Sequence, residues 1–247
     1  MEGTIRGKTQ VKICGITTEE EIAYLNELAV AYAGFVFYEK SKRNIAVATA
    51  KEISKKLNQD IKKVAVTVSP NLELIHQIED AGFDILQIHG AFDETLLQEI
   101  QIPIWLAVNL NGMAELSSWR ETEWKRWREY TRIKGILLDA GDYGSGKTFG
   151  WEKEGQMPEQ EVSERAISEE KSVGCLADFV KLRAELAEQN ISFILAGGLN
   201  PENVADGIRL FAPDVVDVSS GVEEIIAGQR GKSRECIRAF VEAVKRA

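Results

Sequence analysis

Short runs rich in apolar and β-branched residues recur along the whole chain, and each gives way to a polar turn and then a stretch with apolar residues three and four apart. Eight such runs predict strands: Val11 to Cys14, Ala33 to Phe37, Lys63 to Val68, Ile85 to His89, Ile104 to Val108, Gly135 to Asp139, Phe193 to Ala196 and Val215 to Val218. Segments with helical spacing alternate with them, among them Glu20 to Val30, Leu72 to Ala81 and Lys232 to Lys245. Thr17 or Thr18 suits the cap of the first helix, and Asn200 that of the seventh with Pro201 in its first turn. Gly82 suits the stop of the third. Continuous apolar strands joined by helical crossovers belong to parallel sheets covered on both faces. Eight units predict an α/β fold closed into a (β/α)8 TIM barrel. An open doubly wound sheet would have a glycine-rich first turn, and this one holds only Gly15.

Two stretches depart from the repeat. Trp151 to Asp178 holds eight acidic residues against three basic ones and no sustained apolar periodicity. It reads as an acidic insertion after strand six, inside a single domain spanning 1–247. Trp119, Trp124, Trp127 and Tyr130 recur at helical spacing, the pattern of an aromatic face packed on the barrel.

Composition narrows the function classes. With 44% hydrophobic and 28% charged residues the chain is an ordinary globular one, and its net charge of -9 argues against a nucleic-acid partner. The longest mostly apolar stretch, Leu28 to Tyr38, is too short for a membrane span. Met1 to Gln10 has no apolar centre of the secretory kind, so a cytoplasmic location is expected. Cys14, Cys175 and Cys236 are too few and too far apart for a disulfide framework. His76 and His89 lack ligand spacing, so no metal is expected.

Candidate chemistry sits at strand ends. Cys14 closes the first strand and Asp139 the sixth, and a thiol facing a carboxyl group can move a proton off carbon and onto oxygen as base and acid. Taken alone, Cys14 reads first as a small buried apolar side chain, and Asp139 as a cap or ion-pair partner. The stretch from Gly141 to Thr148 fits GxxxxGK[ST] after strand six. A phosphate-binding loop of that kind must feed a helix, however, and Gly155 and Pro158 follow instead of apolar periodicity.

Seven strand-end motifs, taken together and in order, resemble those of phosphoribosylanthranilate isomerase of tryptophan biosynthesis. They are Lys12-Ile13-Cys14-Gly15-Ile16-Thr17, Gly34-Phe35-Val36-Phe37-Tyr38, Gln87-Ile88-His89-Gly90, Leu137-Leu138-Asp139, Gly146-Lys147-Thr148-Phe149, Ala196 to Val204 and Asp217 to Glu223. The resemblance covers about residues 10 to 245. It implies a site at the carboxyl ends of the barrel strands, and it explains the GKT match as a family loop with no need of ATP. The activity it implies is a cofactor-independent Amadori rearrangement of N-(5-phosphoribosyl)anthranilate to a 1-deoxyribulose 5-phosphate derivative. The partner would be this small phosphorylated substrate, handled by a monomer or homodimer.

By the same resemblance Cys14 is the base, Asp139 the acid, and Arg43 the holder of the anthranilate carboxylate. Gly197, Gly198, Ser219, Ser220 and Gly221 would hold the phosphate; His89 and Asp217 either shape the pocket or are satisfied structural groups. The chain departs from the family pattern at Tyr143 to Ser145, at Gly150, in the third strand Val64-Ala65-Val66-Thr67-Val68, at Lys232-Ser233, and in the length of the Trp151 to Asp178 segment. Two alternatives stand beside this reading. A related isomerase of histidine biosynthesis would show aspartates after strands one and five, where this chain has Cys14 and Val108-Asn109. A phosphate-ligand binder would need neither Cys14 nor Asp139.

Overall fold

The computed structural model describes residues 8–91, 93–110, 114–140, 178–226 and 228–247. Eight parallel strands close into a barrel: β1 (Gln10–Cys14), β2 (Tyr32–Phe37), β3 (Lys62–Val68), β4 (Ile85–His89), β5 (Ile104–Leu110), β6 (Ile133–Ala140), β7 (Ser192–Leu195) and β8 (Val215–Val218). Each pairs with the next, and β8 returns to β1 with Lys12 opposite Asp217 and Ile13 opposite Val218. All eight strands lie within two residues of their expected ends. The expectations for Gly141 to Thr148, for the acidic insertion up to 177 and for Cys175 fall outside the described residues.

Nine helices surround the described barrel. Five precede the break at 120: α1 (Glu19–Glu27), α2 (Val47–Ser54), α3 (Leu72–Asp80), α4 (Leu96–Glu99) and α5 (Ala114–Trp119). A π-helical turn, Arg120–Trp124, joins α5 to α6 (Lys125–Trp127); α7 (178–188), α8 (Val204–Phe211) and α9 (Arg234–Arg246) follow. None of the described helices is long and apolar enough to cross a membrane.

Because strand side chains alternate between faces, the apolar residues fall into two clusters. Phe35, Leu86, Ile136 and Phe193 point outward and pack with Ile22, Ile75 and Phe240 of the helices. Val36, Val66, Leu137, Ile194 and Val215 point inward and fill the barrel with Trp105. The aromatic face packs as expected: Trp119, Trp124 and Trp127 are buried in the outer layer, with Tyr130 against them.

Local signals explain most helix ends. Thr18 caps α1 and forms a capping box with Glu21, whose carboxylate accepts from Thr18 N at 3.1 Å while Thr18 Oγ1 accepts from Glu21 N at 3.2 Å. Gly82, at φ +74°, follows α3 as expected. Two expectations need correction. Asn200 does not cap α8; its Oδ1 accepts from Glu202 N and Asn203 N and closes a turn over Pro201, so the helix begins only at Val204. Lys232 opens no helix. It ends a hairpin absent from the sequence reading, β9 (Glu223–Ile226) and β10 (Gln229–Lys232), and Ser233 caps α9 by accepting from Cys236 N.

The barrel floor is closed by Trp105, whose ring centroid lies 4.9 Å from that of Tyr32. It fits because its neighbour on β6 is Gly135. A β-carbon there would stand 2.4 Å from Trp105 Cδ1 and 2.8 Å from Ile194 Cδ1. With Tyr32 blocking its retreat, the indole has no room to yield. Gly135→Ala is expected to lower stability by about 1–3 kcal/mol, as overpacking does, read as a reduced urea midpoint with unchanged slope.

Candidate active site

The two-residue period that builds the core also aims polar side chains into the open end of the barrel. On β1 it turns Lys12 and Cys14 inward, on β4 Gln87 and His89, on β6 Leu137 and Asp139, and beyond Val215 on β8 it turns Asp217 inward. A cleft of about 790 Å³ opens at these carboxyl ends, and Cys14, Asp139, His89 and Asp217 all line it. Gly197, Gly198, Ser219 and Ser220 line it from the turns after β7 and β8, and Arg43 from the loop after β2. The structure thus brings together every residue expected at the site except Gly221. That glycine lies behind the wall, where a β-carbon would stand 2.0 Å from Leu199 O; its bareness lets the turns after β7 and β8 touch.

Cys14 sits at the centre of two charge networks. Beneath it Lys12, wholly buried, places Nζ 2.6 Å from Asp217 Oδ2. Burial works against the Lys12 ammonium, yet Asp217 and Cys14 hold its pKa above the ordinary lysine value. Above it the stem of Arg43 crosses Gly15, where a β-carbon would lie 2.3 Å from Arg43 Cδ. The Arg43 guanidinium grips Glu223 with two bonds, Nε to Oε1 at 2.6 Å and Nη2 to Oε2 at 2.9 Å. Lys232 donates to the same carboxylate at 2.7 Å and to Ser219 O at 3.1 Å, and Ser219 Oγ donates to Cys14 O at 2.9 Å. Burial alone would raise Glu223, but Arg43 and Lys232 hold it below the usual carboxylate range.

Burial pushes the Cys14 thiol above its ordinary value, with Lys12 as the strongest opposing influence. In this pocket desolvation of the thiolate outweighs the cations around it. Sequence reasoning also passed over Lys12, Glu223 and Lys232. The signal for Lys12 was available: a lysine two residues before Cys14 in an otherwise apolar strand must share its inward face.

A parallel (β/α)8 barrel with a polar cleft at the carboxyl ends of its strands is the architecture of the TIM-barrel enzymes. The chain belongs to the phosphoribosylanthranilate isomerase family: the family model described as N-(5'phosphoribosyl)anthranilate (PRA) isomerase matches residues 11–167 and 168–243. Its members are aldose–ketose isomerases of tryptophan biosynthesis. The isomerase of Clostridium beijerinckii is 34% identical over 245 residues, covering 96% of this chain and 97% of that protein. The one from Streptococcus mutans is 32% identical over 240 residues, covering 96% of this chain and all (100%) of its relative. Among solved structures, phosphoribosyl anthranilate isomerase of Thermotoga maritima superposes with a TM-score of 0.70 at 29% identity, over 97% of this chain and 100% of its own. A phosphoribosyl anthranilate isomerase in complex with reduced 1-(o-carboxyphenylamino)-1-deoxyribulose 5-phosphate gives 0.66 at 28% identity, over 97% and 100%.

On the wall between β1 and β6, His89 Nε2 lies 2.7 Å from Gln87 Nε2; with the amide donating, the ring nitrogen is the acceptor. Burial first, and then Lys12, push its pKa down to about 3. The folded protein therefore refuses a proton that the unfolded chain accepts below about pH 6.5. Stability is lost as pH falls through that range, with about 2–3 kcal/mol gone by pH 4.5 from this residue. Urea unfolding at pH 7 and 4.5 should show His89→Gln losing less stability than wild type by that amount; equal losses would refute a buried neutral imidazole.

Proposed function

We propose that the chain isomerises N-(5-phosphoribosyl)anthranilate to 1-(2-carboxyphenylamino)-1-deoxyribulose 5-phosphate, with Asp139 as general acid and Cys14 as general base. One observation carries this reading. The two side chains, about 125 residues apart in sequence, face a single cleft from the ends of β1 and β6, with glycine and serine turns beside them after β7 and β8. Family membership and the ligand named for the structural neighbour support the same substrate.

Asp139 protonates the furanose ring oxygen as the anthranilate nitrogen pushes out the C1–O bond, leaving an open-chain iminium. That cation acidifies C2, and the Cys14 thiolate removes the C2 proton, so the C–H electron pair forms the C1–C2 double bond of an enolamine. C1 then gains a proton as the 2-hydroxyl loses one. C1 is reduced, C2 is oxidised to the ketone, and the proton count closes.

The substrate's two anionic ends suit the two sides of the cleft. Gly197 and Gly198, with φ of +87° and +61°, bend the backbone after β7 beside Ser219 and Ser220, and this is the side we assign to the phosphate. Gly221 serves there by letting the two turns meet. Arg43 has one edge of its fork fixed by Glu223, and the opposite edge is assigned to the anthranilate carboxylate. His89, neutral, and Asp217, paired with Lys12, form the wall against which the sugar lies.

Fluorescence decay on consumption of the anthranilate ribotide tests the assignment. Cys14→Ala and Asp139→Asn should each lower kcat/KM at least about a hundredfold, and rates equal to wild type would reject it. Because the reaction needs Asp139 protonated and Cys14 ionised, and the thiol is raised, kcat/KM should stay level from about pH 7 to 8.5 and fall only once pH passes the thiol's midpoint; a fall already under way within that range would speak against Cys14. Arg43→Met should raise KM about tenfold or more with kcat less affected, since a carboxylate remote from C1 and C2 is held alike in ground and transition states.

A further inference from the structure

We infer that Lys12 is a positioning residue for this reaction: fixed inside the barrel by Asp217, its ammonium stands beside the Cys14 sulfur and stabilises the thiolate that takes the C2 proton. The inference rests on the assignment of Cys14 as the base, and it supplies what that assignment lacks, a reason for a buried thiol to ionise at all.

A lysine is almost never fully buried unless paired, and Lys12 is 0% exposed. Its one strong bond is to Asp217 Oδ2 at 2.6 Å, across the register pair that joins β1 to β8. Sharing the inward face of β1, its four-carbon stem reaches along the strand toward Cys14. A point where Gly34 would carry a β-carbon lies 3.2 Å from Lys12 Nζ and 3.2 Å from Cys14 Sγ, so ammonium and sulfur converge on one small space. Gly34 keeps that space open, and the ammonium faces the sulfur across it.

The other cations near Cys14 do less of this work than Lys12. Arg43 and Lys232 approach from above, and both are committed to the Glu223 carboxylate. Asp217 opposes the thiolate, and His89 is neutral. Asp139 stands on β6, with β7 and β8 between it and β1. Lys40, Lys42 and Arg230 line only the outer cleft. Neutralising Asp217 is not by itself a reason for Lys12, because an apolar pair of similar volume would fill the barrel as well or better.

The test reads the thiolate without asking for turnover. Alkylation of Cys14 by iodoacetamide, followed peptide by peptide between pH 6 and 10, gives the thiol's midpoint, and kcat/KM over the same range gives the catalytic limb. In Lys12→Met the alkylation midpoint should rise by at least one unit, which makes Cys14 about tenfold slower to react at pH 7. The kcat/KM limb should move with it, and KM should stay within about threefold. Lys12→Met/Asp217→Asn removes the stranded carboxylate as well, so it keeps the test open where the single variant does not fold. It should show a smaller rise in the same direction, because at the sulfur the cation outweighs the anion. An unmoved alkylation midpoint in either folded variant overturns the inference. A moved midpoint with an unmoved kcat/KM limb would instead overturn Cys14 as the base, and with it any part for Lys12 in the reaction, while leaving its hold on the thiolate shown.

Discussion

A lysine and an aspartate, both shut away from water, meet across the seam where the barrel closes. Taking two such charges out of water costs several kcal/mol each, and their attraction repays it only when geometry is tight. Lys12 and Asp217 meet that condition at 2.6 Å. The pair also fixes register. Slipping β1 by one residue against β8 would turn Lys12 into the apolar layer under the helices and leave Asp217 alone in the barrel. The same slip would turn Cys14 away from the cleft, so the ion pair that closes the fold is also what aims the thiol.

A second set of contacts braces this seam from outside. The β9–β10 hairpin brings Glu223 and Lys232 over the end of β8, where they tie Arg43 to Ser219, and Ser219 to the Cys14 carbonyl. Glu21 anchors the same end of the hairpin: it is buried, caps α1 with one oxygen and accepts from Lys232 N at 3.0 Å with the other. One carboxylate therefore serves both a helix start and a strand end. The cleft rim on this side is a chain of charge-assisted bonds between elements distant in sequence, which holds backbone positions better than loop packing alone would.

The sequence was most legible where a single period decides the outcome. Short continuous apolar runs located eight strands, and because a strand offers only two faces the two-residue period then settles which way Cys14 and Asp139 point. The hairpin was not legible: Glu223 to Lys232 has no alternation of apolar and polar residues, and its second strand is held by the contacts of Lys232. Asn200 looked like a helix cap and closes a turn instead, since the choice between the two depends on where the following chain must go. The state of the Cys14 thiol depends on burial, on Lys12 in its own strand, and on Asp217, Lys232 and Arg43 brought in by other elements, and no local pattern encodes that sum. The reaction itself came from the order of the motifs; periodicity alone gives a barrel and two reactive groups.

The departures at β3 and Ser233 follow the same physics. Val64 and Val66 put branched apolar side chains into the barrel, which thickens the dry layer between the Trp105 floor and the polar rim. Serine at 233 caps α9 as an aspartate would, but adds no charge near Lys232, whose ammonium burial already holds below the ordinary lysine value. The interior is thus stratified, with aromatic and aliphatic groups below and ionisable ones at the mouth. Over such a floor the effective dielectric is low, which raises the cost of an unpaired thiolate and strengthens its attraction to Lys12 together. The two effects grow from one cause, so the geometry of the pair decides whether Cys14 can give up its proton.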